Sequence, residues 1–294
     1  MDEGNVLMNV KKVSLGTASF GNQYGVLNSS HVDLEDSKLL LKIARDAGIT
    51  KIDTAPAYGK SEQVLGMSGL SEFDVYTKID AETWTRSSEA SLSQLMASLA
   101  RLRKPSLKGL TFHSAESFLQ DPRRSTEFVS RAKGEGWIDT WGVSVYDPSE
   151  AEKIFDIASP DYLQAPVSIA DRRFLDGEVL SHFREKGTDL HARSVFLQGL
   201  LVCDETKLPP NFEKWVPLFM GYSQAAKSLN ISKFQLAFLA VIQNPSIQSV
   251  VIGVNEQPHL VELIDSLRAE DTLCPEDFDY SEDLDLIDPR RWTR

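Results

Sequence analysis

Cysteine is scarce in this chain. Cys203 and Cys274 are its only two, far apart and outside any CxxC spacing. That excludes a cysteine-rich zinc site and fits a reducing compartment. Long apolar runs are also missing, and none approaches the 18 residues of a membrane-spanning helix. The N-terminus, MDEGN, is acidic and no apolar stretch follows it, so no signal peptide is expected and the expected location is cytoplasmic. Basic residues are absent from Glu270 to Asp288, where nine acids occur, before Arg290, Arg291 and Arg294. Residues 1–269 hold 34 acids and 28 bases, so half of the net charge of −12 belongs to the tail 270–294. A negative chain without a basic stripe is expected to bind neither nucleic acid nor an anionic membrane. No GxGxxG follows the first β-branched run, which argues against a dinucleotide-binding doubly wound sheet.

What is present is a regular alternation. The 294 residues, 41% hydrophobic and 25% charged, suit one α/β barrel. Strands are read at VSLGTASF, TKIDTA, FDVYTKI, LKGLTFH, WGVSVY, DYLQAP, TDLHARSVF and SVVIG. Helical patterns separate them. The first places Leu39, Leu40, Ile43 and Ala44 at helical spacing, and the second opens at Ser61 as N-cap. Others run through SSEASLSQLMASLARL, Phe128–Lys133, DPSEAEKIFDIA, FLDGEVLSHFREKG, Trp215–Leu229, Lys233–Ile242 and HLVELIDSL. Eight β/α units of about thirty residues, with no domain-sized linker, predict a single (β/α)8 TIM barrel over residues 1–294. The acidic tail is read as a solvated segment whose Phe278, Tyr280, Leu284, Leu286, Ile287 and Trp292 let part of it pack on the barrel.

In such a barrel, reacting groups sit where strands end, at the C-terminal face. The second strand ends at Asp53, and Tyr58 follows in a tight loop with Pro56 and Gly59. The third strand ends at Lys78 and the fourth at His113. One mouth is thus offered an acid, a lysine, a histidine and an overhanging phenol. A tyrosine has a pKa of about 10 and is a poor acid at neutral pH. Lys78 beside it is expected to lower that value, Asp53 to hold the ammonium, and His113 to orient a substrate oxygen. None of these groups donates hydride, so reduction requires a cofactor. Taken singly, each has an ordinary structural reading, as a loop cap, a solvated charge or a satisfied polar residue. Their coincidence at matching strand ends is what points to catalysis. A Schiff-base lyase using Lys78 is disfavoured, because Asp53 keeps the amine charged.

On these residues the chain resembles the aldo-keto reductase superfamily over nearly its whole length. LGTASFG, with Gly16 and Thr17, is similar to the family's first strand, DTAPAYGKSE to its tyrosine loop, TKI to its lysine strand and LTFH to its histidine strand. The resemblance implies a catalytic tetrad of Asp53, Tyr58, Lys78 and His113, with Tyr58 as general acid. It implies NAD(P)H-dependent reduction of a small-molecule aldehyde or ketone, or the reverse oxidation, with NADP(H) favoured and NAD(H) open. It places Ser144 and Gln164 at the carboxamide of the nicotinamide, with Val145 where an Asn is usual. Arg193 falls at the position that stacks on the nicotinamide. Ser194, Phe196, Gln198 and Gly199 continue into the pyrophosphate loop, and Gly253, Val254, Asn255 and His259 fall near the adenosine phosphate, where Glu256 would repel a 2′-phosphate. No metal is implied. LGTASFGNQYG, RSVFLQGLL and IDPRRW resemble a bacterial branch associated with surface polysaccharide or sugar metabolism, which implies a sugar-like substrate. That branch shows Q-x-P-x-N-x-x-D-x-R; Gln164, Pro166, Asp171 and Arg173 match it, and Ser168 replaces the Asn. Trp84 and the tail are candidate pocket walls. The expected state is a monomer or small homo-oligomer, and the alternative to an enzyme is a cofactor-binding regulatory protein with little turnover.

Overall fold

A computed structural model of the protein describes residues 9–20, 31–175, 177–268 and 273–292. The GNQYG end of the first motif, Glu270, Asp271 and Arg294 lie outside the described residues. Eight parallel strands close into a barrel in sequence order, β1 Val13–Gly16, β2 Lys51–Asp53, β3 Asp74–Ile79, β4 Leu107–Phe112, β5 Ile138–Ser144, β6 Tyr162–Pro166, β7 Asp189–Arg193 and β8 Ser249–Gly253. β1 pairs with both β2 and β8, with Gly16 opposite Asp53 and Gly253. This is the (β/α)8 TIM barrel that the alternation predicts.

Helices surround the sheet: α1 Leu34–Asp46, α2 Ser61–Ser68, α3 Ala81–Arg86, α4 Ser88–Leu102, α5 Ala115–Gln120, α6 Pro122–Gly134, α7 Pro148–Phe155, α8 Gly177–Lys186, α9 Val216–Ser228, α10 Lys233–Ile242, α11 Gln257–Ser266 and α12 Leu284–Ile287. Their starts follow local chemistry. Asp33 accepts from the Asp36 amide, and Asp147–Glu150 and Ser232–Gln235 form capping boxes. α1 buries Leu40, Leu41 and Ala44 and leaves Leu39 exposed, one position off the expected stripe. α10 is buried from Leu236 to Ile242 without interruption, as a helix apolar all round must be.

Two glycines make room inside the barrel. A Cβ on Gly109 would lie 2.3 Å from Tyr76, and one on Gly142 would lie 2.4 Å from Tyr162. The two tyrosine rings meet edge-on, and His191 stacks on Tyr162 with ring centroids 4.4 Å apart. The closing segment packs across the loops after β6 and β7. The Ser281 amide donates to the Ala170 carbonyl, Tyr222 donates its hydroxyl to Asp279, Leu286 and Ile287 are fully buried, and Trp292 meets Phe212 edge-on.

Candidate active site

The DTAPAYGKSE motif turns out to be two structures in one. Its first part carries the chemistry and its second part is scaffolding. Ser61, expected as an N-cap, is the first residue of α2 and is fully buried; its hydroxyl bonds the Thr17 carbonyl and the Thr17 and Thr54 hydroxyls at 2.9–3.0 Å. Thr17 in turn donates its hydroxyl and its amide to the Asp53 carbonyl. These bonds tie the ends of β1 and β2 together and fix the backbone from which Asp53 projects. Glu62, also buried, accepts from Thr77 at 2.6 Å and from Arg101 at 2.6–2.7 Å, which anchors α2 to β3 and α4.

The parallel register puts Asp53 opposite Tyr76 and Lys78 opposite Thr111, so the lysine stands two residues nearer the mouth and reaches across. The Lys78 ammonium donates to Asp53 Oδ1 at 2.5 Å and to the Thr54 carbonyl at 3.0 Å. Asp53 Oδ2 accepts from Gln164 Nε2 at 2.8 Å. Both carboxylate oxygens are therefore satisfied, as a buried charge requires. The Lys78 ammonium lies 5.1 Å from the centre of the Tyr58 ring, and that ring meets the His113 ring edge-on at 6.2 Å. The four residues meet at one mouth.

The electrostatics differ from expectation in one respect. Burial raises the Tyr58 pKa above its ordinary 10; Lys78 and Arg193 pull it down and Asp53 pushes it up, and the balance is a raised value. Lys78 therefore moderates the phenol without overturning the cost of burying a phenolate. For Lys78 itself burial favours the neutral amine, but Asp53 and Tyr58 outweigh it and the pKa is raised. At neutral pH the phenol is protonated, the form in which it can donate a proton.

The expected cofactor contacts are placed as follows. Ser144 ends β5 and stands in register with Gln164 in the middle of β6, and both are buried. Gln164 spends its amide N–H on Asp53, and among the described residues no hydrogen bond reaches its amide oxygen, the end that can accept from a carboxamide. Arg193 is half-buried at the end of β7. It donates to the Val145 carbonyl at 2.9 Å and to the Ser194 hydroxyl, and its guanidinium stacks on Tyr146 at 4.0 Å. Arg290 of the closing segment stacks on Tyr146 at 3.9 Å. The loop after β7 holds Ser194, Leu197 and Gln198 at φ of 60°, 46° and 54°, with Gly199 at 100°. Three non-glycine residues in the left-handed region store backbone strain, which occurs where function shapes a loop. Phe196 leaves that loop to stack on Phe234 at 4.7 Å.

At the end of β8, Gly253 is exposed, Val254 is buried and Asn255 is half-buried. Glu256 stands at the N-cap of α11 without capping it, and His259 Nε2 lies 3.7 Å from its carboxylate. At that helix start Pro258 has no N–H, and the backbone N–H groups of Gln257 and His259 suit a phosphate. Together with Ser144, the Gln164 oxygen and the Ser19 hydroxyl, which is buried without a hydrogen-bond partner among the described residues, they form a donor and acceptor set that fits a nicotinamide dinucleotide.

The expectation for Trp84 is corrected. Trp84 is fully buried on α3, packed edge-on against Phe112 and Phe128 and covered by Arg124, so it belongs to the core and not to a pocket wall. Ser168, standing where the resembled branch has Asn, disturbs nothing locally: its hydroxyl accepts from the Ala170 and Asp171 amides at 3.2 and 3.0 Å and holds the turn. Asp80 and Tyr146 were not singled out from sequence. Tyr146 falls just beyond WGVSV, and its two arginine partners are 47 and 144 positions further along the chain.

The fold defines an α/β-barrel protein with its polar constellation at the C-terminal mouth. The aldo/keto reductase family profile matches residues 12–285, and the chain belongs to that family. With membership comes the family's class of chemistry, NAD(P)H-dependent oxidoreduction of carbonyl compounds. Among solved structures the chain is similar to an aldo-keto reductase from Bacillus halodurans in its holo form, at 18% identity and TM-score 0.74, covering 90% of this chain and 89% of that one. It is similar also to an aldo-keto reductase from Klebsiella pneumoniae in complex with NADPH, at 21% identity and TM-score 0.70, covering 90% and 88%. Among curated proteins it is similar to a "Probable voltage-gated potassium channel subunit beta" of Oryza sativa, 22% identical over 97% of this chain and 95% of that protein. No described helix is long and apolar enough to cross a membrane.

Proposed function

We propose that this protein reduces an aldehyde or ketone, or oxidises the corresponding alcohol, with Tyr58 as the proton donor, on a sugar-like small molecule. The observation that carries the reading is the chain of contacts Gln164–Asp53–Lys78–Tyr58 at the barrel mouth, with His113 beside the phenol. A bound nicotinamide cofactor supplies the hydride. Lys78, held by Asp53, stabilises the negative charge that grows on the Tyr58 oxygen as its proton leaves. His113 hydrogen-bonds the substrate oxygen and aims it at the phenol. Ser144, the Gln164 oxygen and Arg193 would hold the nicotinamide end, and the uncapped start of α11 would hold the adenosine phosphate.

The choice between NADPH and NADH is read at α11. A solved relative is in complex with NADPH, which keeps NADP(H) in first place. Against it, residues 253–267 contain no Lys or Arg, and Glu256 stands where a 2′-phosphate would need a cation, so local charge favours NAD(H). Residues 1–294 are read as one working unit, with the tail from 270 as a candidate wall of the pocket. The protein is read as cytoplasmic, a monomer or small homo-oligomer with no nucleic-acid or membrane partner.

Fluorescence titration with NADPH and NADH, followed by turnover on an aldehyde and sugar panel, tests the proposal. Tyr58→Phe should abolish turnover while cofactor still binds; retained turnover would sink the role given to Tyr58. The names of the curated relatives favour a second reading, a cofactor-sensing regulatory subunit. Tight cofactor binding with no turnover on the whole panel would select it.

A further inference from the structure

Asp80 follows Lys78 by two residues and occupies the N-cap of α3 with extended backbone (φ −70°, ψ 141°), yet its side chain makes no capping bond. An Asp at an N-cap ordinarily contributes about 1 kcal/mol by accepting from the first helical amides. Here the carboxylate is turned elsewhere by Gln94 on α4. Gln94 Nε2 donates to Asp80 Oδ2 at 2.7 Å, and Gln94 Oε1 accepts from the Asp80 amide at 3.1 Å. A third bond, from Gln94 Nε2 to the Thr83 hydroxyl, holds the amide in place. The clamp leaves Asp80 Oδ1 buried and without a hydrogen-bond partner among the described residues. An unpaired buried acceptor is expensive, more so when it is charged. The polar atom facing it is His113 Nδ1, 3.7 Å away. That is longer than a hydrogen bond, and a small rotation of the imidazole closes it; such contacts tighten when substrate is bound.

We propose that Asp80, oriented by Gln94, is a positioning residue for His113: it accepts the Nδ1 proton and thereby fixes which ring nitrogen meets the substrate oxygen. This rests on the placement of His113 at that oxygen proposed above. With Nδ1–H committed to Asp80, Nε2 is the nitrogen that faces the mouth. The neutral ring then presents Nε2 as an acceptor to an alcohol hydroxyl, and the protonated ring presents Nε2–H as a donor to a carbonyl oxygen. One carboxylate so gives one imidazole the two hydrogen-bond polarities that oxidation and reduction require.

Asp80→Asn makes the inference testable, because Gln94 dictates how the new amide sits. Gln94 Nε2 requires an acceptor at the Oδ2 position, and Gln94 cannot reverse without losing the Asp80 amide. The Asn carbonyl therefore points to Gln94 and its NH2 points to His113, so that Nδ1 must accept and the proton moves to Nε2. The experiment is side-chain 15N NMR of the full chain, with the His113 signal assigned by its loss in His113→Asn; the other four histidines serve as internal references. Wild type should show the Nδ1–H tautomer at a pH where the ring is neutral, and Asp80→Asn the Nε2–H tautomer. Turnover should fall about a hundred-fold, as for a misaimed reacting group, with cofactor affinity unchanged. Gln94→Met, which frees the carboxylate, should blunt the wild-type signature and lower turnover less. An Nε2–H tautomer in wild type, or the same tautomer in wild type and Asp80→Asn, would overturn the proposal. A tautomer switch with full turnover would instead overturn the placement of His113 at the substrate oxygen.

Discussion

Lys78→Met is the most informative single perturbation of the site. The substitution keeps the length of the side chain and removes the ammonium, which is 2% exposed and bonded to Asp53 Oδ1 and the Thr54 carbonyl. Asp53, 3% exposed, keeps only its bond from Gln164 and becomes a buried charge with one oxygen unpaired. Breaking a buried pair from one side costs about 3–5 kcal/mol, a large part of the roughly 5–15 kcal/mol that hold a domain folded. The Lys78 pKa is raised in the folded state, so its contribution is fully present below the unfolded value near 10.5 and is lost only as pH rises through the folded value. The stability gap between wild type and variant, measured by urea unfolding, should therefore be flat from pH 6 to pH 9. Asp53→Asn combined with Lys78→Met removes the stranded charge and should recover most of the stability but none of the turnover. The variant phenol loses its main acidifying neighbour while burial remains, so oxidation, which needs the phenolate, should fall more than reduction. A single variant within about 0.5 kcal/mol of wild type, or a double variant no more stable than the single, would refute the account of the pair.

Two further outcomes concern the scaffold. Gly66→Ala would place a Cβ 2.0 Å from the Arg101 carbonyl oxygen, a backbone atom that cannot step aside, so α2 and α4 must separate; urea midpoints should report a loss of about 1–3 kcal/mol or more. His191 is buried against Tyr162, and burial, reinforced by Lys51, lowers its pKa from 6.5 to about 3. The unfolded chain takes up that proton as pH falls below 6.5 and the folded chain does not, so stability should drop with acid by about 1.4 kcal/mol per pH unit until the pH nears 3. His191→Gln should lack that component, and parallel acid-stability curves for the two proteins would contradict it.

The barrel was legible because two periods, that of strands and that of helices, repeat eight times in order; Asp53, Lys78 and His113 were legible because they fall at or beside strand ends, and Tyr58 because its tight loop follows one. The rest of the same motif was not. Ser61, Glu62 and Gly66 look like a helix start, but what they do is set by Thr17, Thr77 and Arg101, which lie 44, 15 and 35 positions away. Trp84 looked like a pocket wall because α3 has six residues, too few for a periodic signal, and nothing local shows that Arg124 and Phe128 close over it. Asp80 was not singled out, because only the fold brings Gln94 to its carboxylate.

The two departures from the resembled pattern, at positions 145 and 168, are both absorbed locally. At position 145 the side chain that the pattern would supply is missing, but the Val145 carbonyl is what Arg193 uses, and a carbonyl is the same whatever the side chain. At position 168 the Ser hydroxyl supplies the turn acceptor that an Asn would supply. Neither change therefore alters the frame of the mouth, and neither explains by itself which molecule enters. Tyr146 lies between two guanidinium groups, one from the end of β7 and one from the closing segment. Arg290 is neutralised by a bidentate Asp288, whereas Arg193 makes no ion pair among the described residues. Arg193 ends β7, on the side of the barrel across from β2 and β3, which carry Asp53 and Lys78.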